Sequence, residues 1–552
     1  MRLTKNTLRG ACVDLAASGG QTRREAERIH SKKWLRHFFD ENLGDKILRE
    51  SGIIMHITSL PTRYGVGTMG REAREFADFL HAAKQSCWEI LPLGHTGCGD
   101  SPYQCFSAFA GNPYLIDLEQ LLRDGLLTRP ELESRDWGGD PERVDYGKLW
   151  ENRFGVLRLA SARARERDAG AVRAFELENS HWLPDYALFM ALKMHFGGAA
   201  WTEWPDGVRL RGAAELEKYR KALRADVEFF TWVQYTFFRQ WRALRAYAHS
   251  KGVKIIGDVP IYVPLDSSDV WACPENFQLD ADRRPKFVAG VPPDYFSADG
   301  QLWGNPLYDW ERMKKDGYSW WLSRLAAAGQ LFDVIRFDHF RGLDSYWAVP
   351  AGEKTAVNGK WVEGPGSHFI YAIKTAFPEL KLIAEDLGFL TESVRSLRRS
   401  SGFPGMKVLQ FAFDGSGDNY YLPHRHWVDS ICFTGTHDNA PLAQFIDEMP
   451  ELEREFMVKY LGLNEREGCI WGILRAGMGS VCQTFIAQLQ DYLELGAEAR
   501  MNAPGSVGDN WRWRVKPGAL TPELAERIAA MTEMYGRAPD RAEKEQPAAP
   551  VS

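Results

Sequence analysis

Phe332-Asp-Val-Ile-Arg-Phe-Asp338 is a short apolar run that closes on a carboxylate. Further runs of the same kind are Gly52–Ile57, Trp88–Leu93, Val253–Val259, Leu380–Asp386, Met406–Phe413 and Ser430–Thr434, with another near Thr484–Leu489. Helical stretches separate them. Runs of this length, apolar on both faces, suit parallel strands buried beneath a helical layer. Seven or eight of them predict an α/β fold, a (β/α)8 TIM barrel with helical and loop insertions between the strands.

The spacing is uneven. About 160 residues separate the second and third runs, and most of them read as helix, over Arg153–Asp168, Pro184–Phe196 and Ala213–Ser250. This gives a mostly helical insertion at about 115–235 and a barrel helix leading into the third strand. A Pro-, Asp- and aromatic-rich loop insertion follows at about 264–310. The barrel domain is expected over 49–536. Residues 1–48, rich in Arg, Lys and Glu, read as a weakly packed extension with one short helix at Arg23–Asn42. Residues 537–552 are polar and Pro/Ala-rich and read as a disordered tail.

Several function classes drop out early. A net charge of −6 offers no basic field for nucleic acid. No apolar run reaches the roughly 18 residues of a membrane span, and the first residues lack an export signal, so the protein is expected in the cytoplasm. The eight cysteines, at 12, 87, 98, 105, 273, 432, 469 and 482, show no Cys-x-x-Cys pair and no Cys/His spacing of a zinc site. They read as free thiols. No metal and no cofactor are expected, and no loop has the Asp/Asn density of a calcium site.

Chemistry in such a barrel sits at the strand C-termini. The third run ends near Asp258, the fourth in Arg336-Phe-Asp338-His339, the fifth in Glu385-Asp386, and the seventh leads into Thr436-His-Asp438-Asn439. Three or four carboxylates therefore gather around one mouth. Glycosidic bond cleavage needs such a group: an anion beneath the anomeric carbon and a protonated carboxyl at the leaving oxygen. Like charges raise one pKa and keep that proton in place. Arg336 shares a strand face with Asp338 and would hold it ionised. Asp386 competes with Glu385 as the acid, since only one of the two faces the mouth. His56 and His339 read equally as sugar contacts or packed histidines, and Asn305 as a contact or a turn former. The 20 Trp, 19 Tyr and 30 Phe supply mainly core, with some available to stack on sugar rings.

Eight stretches carry a family likeness: Gly52–Pro61, Gly99–Tyr114, Gly257–Tyr262, Val288–Phe296, Trp303–Tyr308, Arg336–Gly342, Ala384–Gly388 and Thr434–Asn439. In this order, from about 50 to about 515, they resemble amylomaltase, the 4-α-glucanotransferase (disproportionating enzyme) family of the α-amylase clan. The resemblance implies Asp338 as nucleophile, Glu385 as general acid/base, and Asp438 as the carboxylate that binds sugar hydroxyls and distorts the ring. It implies Asp258, Arg336 and His437 as their supports, and Tyr103, with Ser101 in the same stretch, as substrate contacts. Asp294, Tyr295, Phe296, Trp303 and Asn305 match a loop arching over the groove. The implied partners are maltooligosaccharides and other α-1,4-glucans, as donor and acceptor, with no nucleic acid or membrane. Asp509–Trp513 resembles a segment near the groove, with no contact assigned. The N-terminal extension and the cysteines at 87, 98 and 105 depart from the family pattern. An amylase-type hydrolase would use the same carboxylates. A non-catalytic glucan-binding protein would normally have lost one of them, and all three are present.

Overall fold

The computed structural model describes residues 49–293, 297–388, 390–506 and 508–539. Eight parallel strands form its centre: β1 (Glu50–Ile54), β2 (Cys87–Glu89), β3 (Lys254–Val259), β4 (Val334–Phe337), β5 (Lys381–Ala384), β6 (Gly405–Val408), β7 (Ser430–Phe433) and β8 (Thr484–Gln488). β1 to β5 pair in chain order, as do β6 to β8, and β8 returns to β1 with Glu50 opposite Thr484. The last seam, between β5 and β6, is bridged by the Ala384 N–H, which donates to the Pro404 carbonyl at 2.9 Å. The expected (β/α)8 barrel is the observed fold.

Period-two alternation explains why the runs are apolar throughout. Ile54, Ile256, Ile383, Ile431, Phe433 and Ile486 form one small cluster inside the barrel. Their strand neighbours Ile53, Ile255, Leu382, Cys432 and Phe485 join the large core under the helices. Helix α1 (Arg71–Ala82) buries Ala73, Phe76, Ala77 and Leu80, one helical stripe. Phe76 meets Trp88 of β2 edge to face, with centroids 4.9 Å apart.

The helical insertion holds α2 (Tyr146–Glu178), α3 (Leu183–His195) and α4 (Arg224–Ser250). The expected Ala213–Ser250 helix is two helices meeting at Leu223. Nothing in that stretch is Gly or Pro, so no local breaker marks the joint. Helix α4 pins the loop after β2. Gln234 accepts from the Gly111 N–H at 2.8 Å and donates to the Gly111 carbonyl at 2.9 Å. A Cβ at Gly111 would meet the Phe237 ring at 2.1 Å, so only glycine lets the loop lie this close to α4.

Two expectations need correction. The segment 264–310, read as a loop, contributes two strands of a four-stranded antiparallel sheet. Phe287–Val291 pairs with Gln301–Pro306 on one side and Ser345–Pro350 on the other, and Ser345–Pro350 pairs with Lys360–Glu363. Arg537, assigned from sequence to the tail, is fully buried. It donates to the carbonyls of Glu50 and Met478 at 2.8 Å and of Ser480 and Cys482 at 3.0 Å. The start of β1 and the segment entering β8 leave bare carbonyls there, and a guanidinium with five donors satisfies them. Residues 1–48, with the expected Arg23–Asn42 helix, and 540–552 lie outside the described residues. Among the described residues no helix is long and apolar enough to cross a membrane.

Candidate active site

Strand geometry carries the polar groups to one mouth. Arg336, inside β4, donates through Nη2 to Asp258 Oδ2 at 2.7 Å and to Asp338 Oδ1 at 3.0 Å. The Tyr103 hydroxyl donates to Asp258 Oδ2 and lies 2.8 Å from His437 Nε2. The Tyr103 and His437 rings stack at 5.3 Å with planes 16° apart. Glu385, just past β5, accepts from the N–H groups of His339 at 2.7 Å and Leu387 at 2.9 Å. His339 reaches it because its backbone turns left-handed, at φ +52°, directly after Asp338. Asp386 faces the other way. It accepts from the Met406 N–H at 2.7 Å and lies 3.6 Å from Arg398, which removes it as the acid. Asp438 Oδ1 accepts from Asn502 at 2.6 Å, and the Asp438 carbonyl accepts from Arg500 at 3.2 Å.

Exposure differs sharply among these carboxylates. The Asp338 side chain is 27% exposed and Asp438 45%, whereas Asp258 is sealed at 3%. Burial raises the Glu385 carboxyl above its ordinary range, against the opposing pull of Arg336 and the two N–H donors. Burial raises Asp338 as well, and Arg336 opposes it without overriding it, because its charge is shared with Asp258. Two carboxyls in one desolvated site retain a proton between them. Burial pushes His56 and His339 down to about 3, so both are neutral. His56 accepts from the Leu91 N–H at 3.2 Å, which makes it a packed histidine.

A family model described as 4-alpha-glucanotransferase matches residues 55–521. The chain belongs to this family. A 4-alpha-glucanotransferase of Clostridium butyricum is 46% identical over 485 residues, covering 88% of this chain and all of that one. One from Thermus thermophilus is 47% identical over 502 residues, covering 89% and 99%. The solved structure of amylomaltase from Streptococcus agalactiae, in complex with acarbose, superposes with a TM-score of 0.87 at 40% identity, covering 89% of this chain and 100% of that one.

In this glucanotransferase-family chain the contacts above join Tyr103, Asp258, Arg336, Asp338 and His437 directly, and His339 links that group to Glu385. Trp303 of the small sheet packs edge-on against His339, 4.8 Å between centroids. Asn305 is buried on the same strand. Ser101 Oγ accepts from the Tyr103 N–H at 3.2 Å and so shapes the turn that presents Tyr103. Asp294, Tyr295 and Phe296 lie outside the described residues. A cavity of about 480 Å³ flanks the mouth beside Tyr103 and Asp258, walled by Trp182, Tyr262 and Arg324. Asp338 and Glu385 do not line it.

Sequence reasoning missed four residues here. Trp511, in the segment given no contact, lies 5.8 Å from the Tyr103 ring and 6.0 Å from His437, with its backbone left-handed at φ +67°. Asn502 and Arg500 carry no local signal, being polar residues in a loop. Glu89 had one: β2 stops at Glu89, so it too is a carboxylate at a strand end. Reading that strand on to Leu93 hid it. Burial pushes Glu89 up to about 8, with Arg336 and Asp258 close enough to act on it.

Proposed function

We propose that Asp338 is the nucleophile of a retaining 4-α-glucanotransferase, that Glu385 is its general acid/base, and that Asp438 holds the reacting sugar. The observation that carries this reading is the Arg336–Asp338 contact at 3.0 Å together with the bond from the N–H of His339, the residue after Asp338, to Glu385, which supports Asp338 and Glu385 as a working pair at one mouth. In the first step an Asp338 oxygen bonds to the anomeric carbon. Glu385 gives its proton to the departing glycosidic oxygen, and the leaving glucan departs with a free hydroxyl. In the second step Glu385 takes the proton of an acceptor hydroxyl, that oxygen bonds to the anomeric carbon, and Asp338 leaves. Two inversions retain the α configuration.

Asn502 and Arg500 fix Asp438, and the Tyr103–His437–Trp511 stack backs the same pocket. Donor and acceptor are maltooligosaccharides and other α-1,4-glucans, in keeping with the names of the relatives. Transfer wins over hydrolysis where the site seats a sugar and excludes water, and Trp303, with Tyr295 and Phe296 by resemblance, suits that task. Incubation with maltotriose tests the reading: the expected products are glucose and a ladder of longer maltooligosaccharides. Glucose and maltose alone, with nothing longer, would make the enzyme an amylase-type hydrolase.

A further inference from the structure

Away from the mouth, three metal-capable donors meet on the outer side of the barrel wall, near its floor. Cys432 is the third residue of β7, Cys482 lies two residues before β8, and His426 is in the loop leading into β7. One ligand atom from each lies within 4.8 Å of the others, and all three residues are buried. Cys482 Sγ is 3.3 Å from His426 Nδ1 and 3.1 Å from Ser430 Oγ.

The orientation of the imidazole is the second observation. His426 Nε2 lies 2.9 Å from the Tyr421 carbonyl. A carbonyl only accepts, so Nε2 carries the proton and Nδ1 presents a lone pair toward the sulfur. A ligating histidine is held in this way, with its outer nitrogen anchored on a backbone carbonyl and its inner nitrogen turned to the metal. Two thiols and an imidazole form a donor set that selects soft or borderline cations over calcium or magnesium.

We propose that His426 Nδ1, Cys432 Sγ and Cys482 Sγ bind one Zn(II) ion. On binding, the two thiols release their protons to solvent, and two thiolates balance the charge of the ion. Ser430 Oγ or a water completes the tetrahedron. The site joins β7 to the segment entering β8, where Arg537 also donates to the Cys482 carbonyl at 3.0 Å. It touches none of the groups assigned to glycosyl transfer, so the ion is a structural staple. Fifty positions separate the two cysteines, which is why no spacing motif announces them.

The test is the zinc content of the full chain, produced in zinc-supplemented medium, desalted and measured by atomic emission. The expected result is one zinc per chain, falling to background in His426→Ala and Cys482→Ser and unchanged in Cys273→Ser. Removing zinc from the wild type with a chelator should lower its melting temperature and leave maltotriose turnover unchanged within about twofold. Zinc-edge X-ray absorption on the wild type, which does not depend on the variants folding, should count two sulfur ligands and one imidazole. Wild-type protein without zinc, zinc that survives both substitutions, a first shell without sulfur, or a Cys432–Cys482 disulfide by mass spectrometry would each overturn the site.

Discussion

The barrel mouth and the small antiparallel sheet support the reaction in different ways. At the mouth, Asp258, Arg336 and Asp338 sit on or just beyond strands paired with a neighbour on each side, Glu385 follows a strand paired with β4 and joined to Pro404 by a hydrogen bond, and every charge has a fixed partner. In the sheet, Trp303 lies on the edge strand Gln301–Pro306, and Trp361, 43% exposed, lies on the opposite edge strand Lys360–Glu363. Bond making needs atoms held to a fraction of an ångström, and interior parallel strands supply that stiffness. Seating acceptors of varied length needs surface, and edge strands leave it open. On the proposed mechanism, charge placement belongs to the barrel and acceptor seating to the sheet.

The largest expected effect tests the mouth. Asp338→Asn keeps an acceptor for Arg336 but removes the nucleophile, so turnover of maltotriose should fall by about 10⁴-fold or more. Glucan binding measured by calorimetry should persist. Turnover within tenfold of wild type would break the comparison at its first half. Next, Asn502→Ala leaves Asp438 without its side-chain donor. Losing a hydrogen bond to a charged group costs about 1.5–3 kcal/mol, which corresponds to roughly 10–100-fold in kcat/KM. An unchanged kcat/KM would remove Asn502 from the positioning of Asp438.

Trp303→Ala probes the sheet. Donor cleavage should drop by less than about tenfold, while the ratio of hydrolysis to transfer rises, read as free glucose against the longer ladder. Equal losses in both would place Trp303 with the mouth. The last test reads stability rather than rate and concerns Glu89. Its carboxyl ionises near 4.5 when unfolded and near 8 when folded, so the folded state holds the extra proton between those values. The contribution of Glu89 to stability is therefore full below pH 4.5 and declines as pH rises toward 8. Glu89→Gln cannot ionise and should escape that decline. Relative to wild type it should gain on the order of 2 kcal/mol at pH 9 against pH 6 in urea denaturation. A parallel pH dependence in both proteins would show that Glu89 ionises freely in the folded state.

Legibility follows the same division. The barrel strands announced themselves because burial on both faces makes every residue of a run apolar, and the strand-end carboxylates stood out against that background. The small sheet did not. Its central pairing crosses a long separation, with Ala289 opposite Ala348, and a short run such as Phe287–Val291 looks like any apolar loop. Asn502 and Trp511 were hidden for a related reason: each meets its partner across more than sixty positions, and no local period records such a meeting.

By itself the sequence determined the barrel, its order of strands, and all but Glu89 of the carboxylates discussed at their ends, since these depend on local periodicity and on residue type. It also left Asp386 as a rival to Glu385, with only the family resemblance favouring Glu385, gave Arg336 too strong a hold on Asp338, and showed no link between Cys432 and Cys482. Only the tertiary structure decided those points. It turned Asp386 to the Met406 N–H, divided the Arg336 charge between two carboxylates, and folded two distant thiols onto one imidazole. Each outcome depends on direction and distance between groups far apart in the chain, which are set only when the barrel closes.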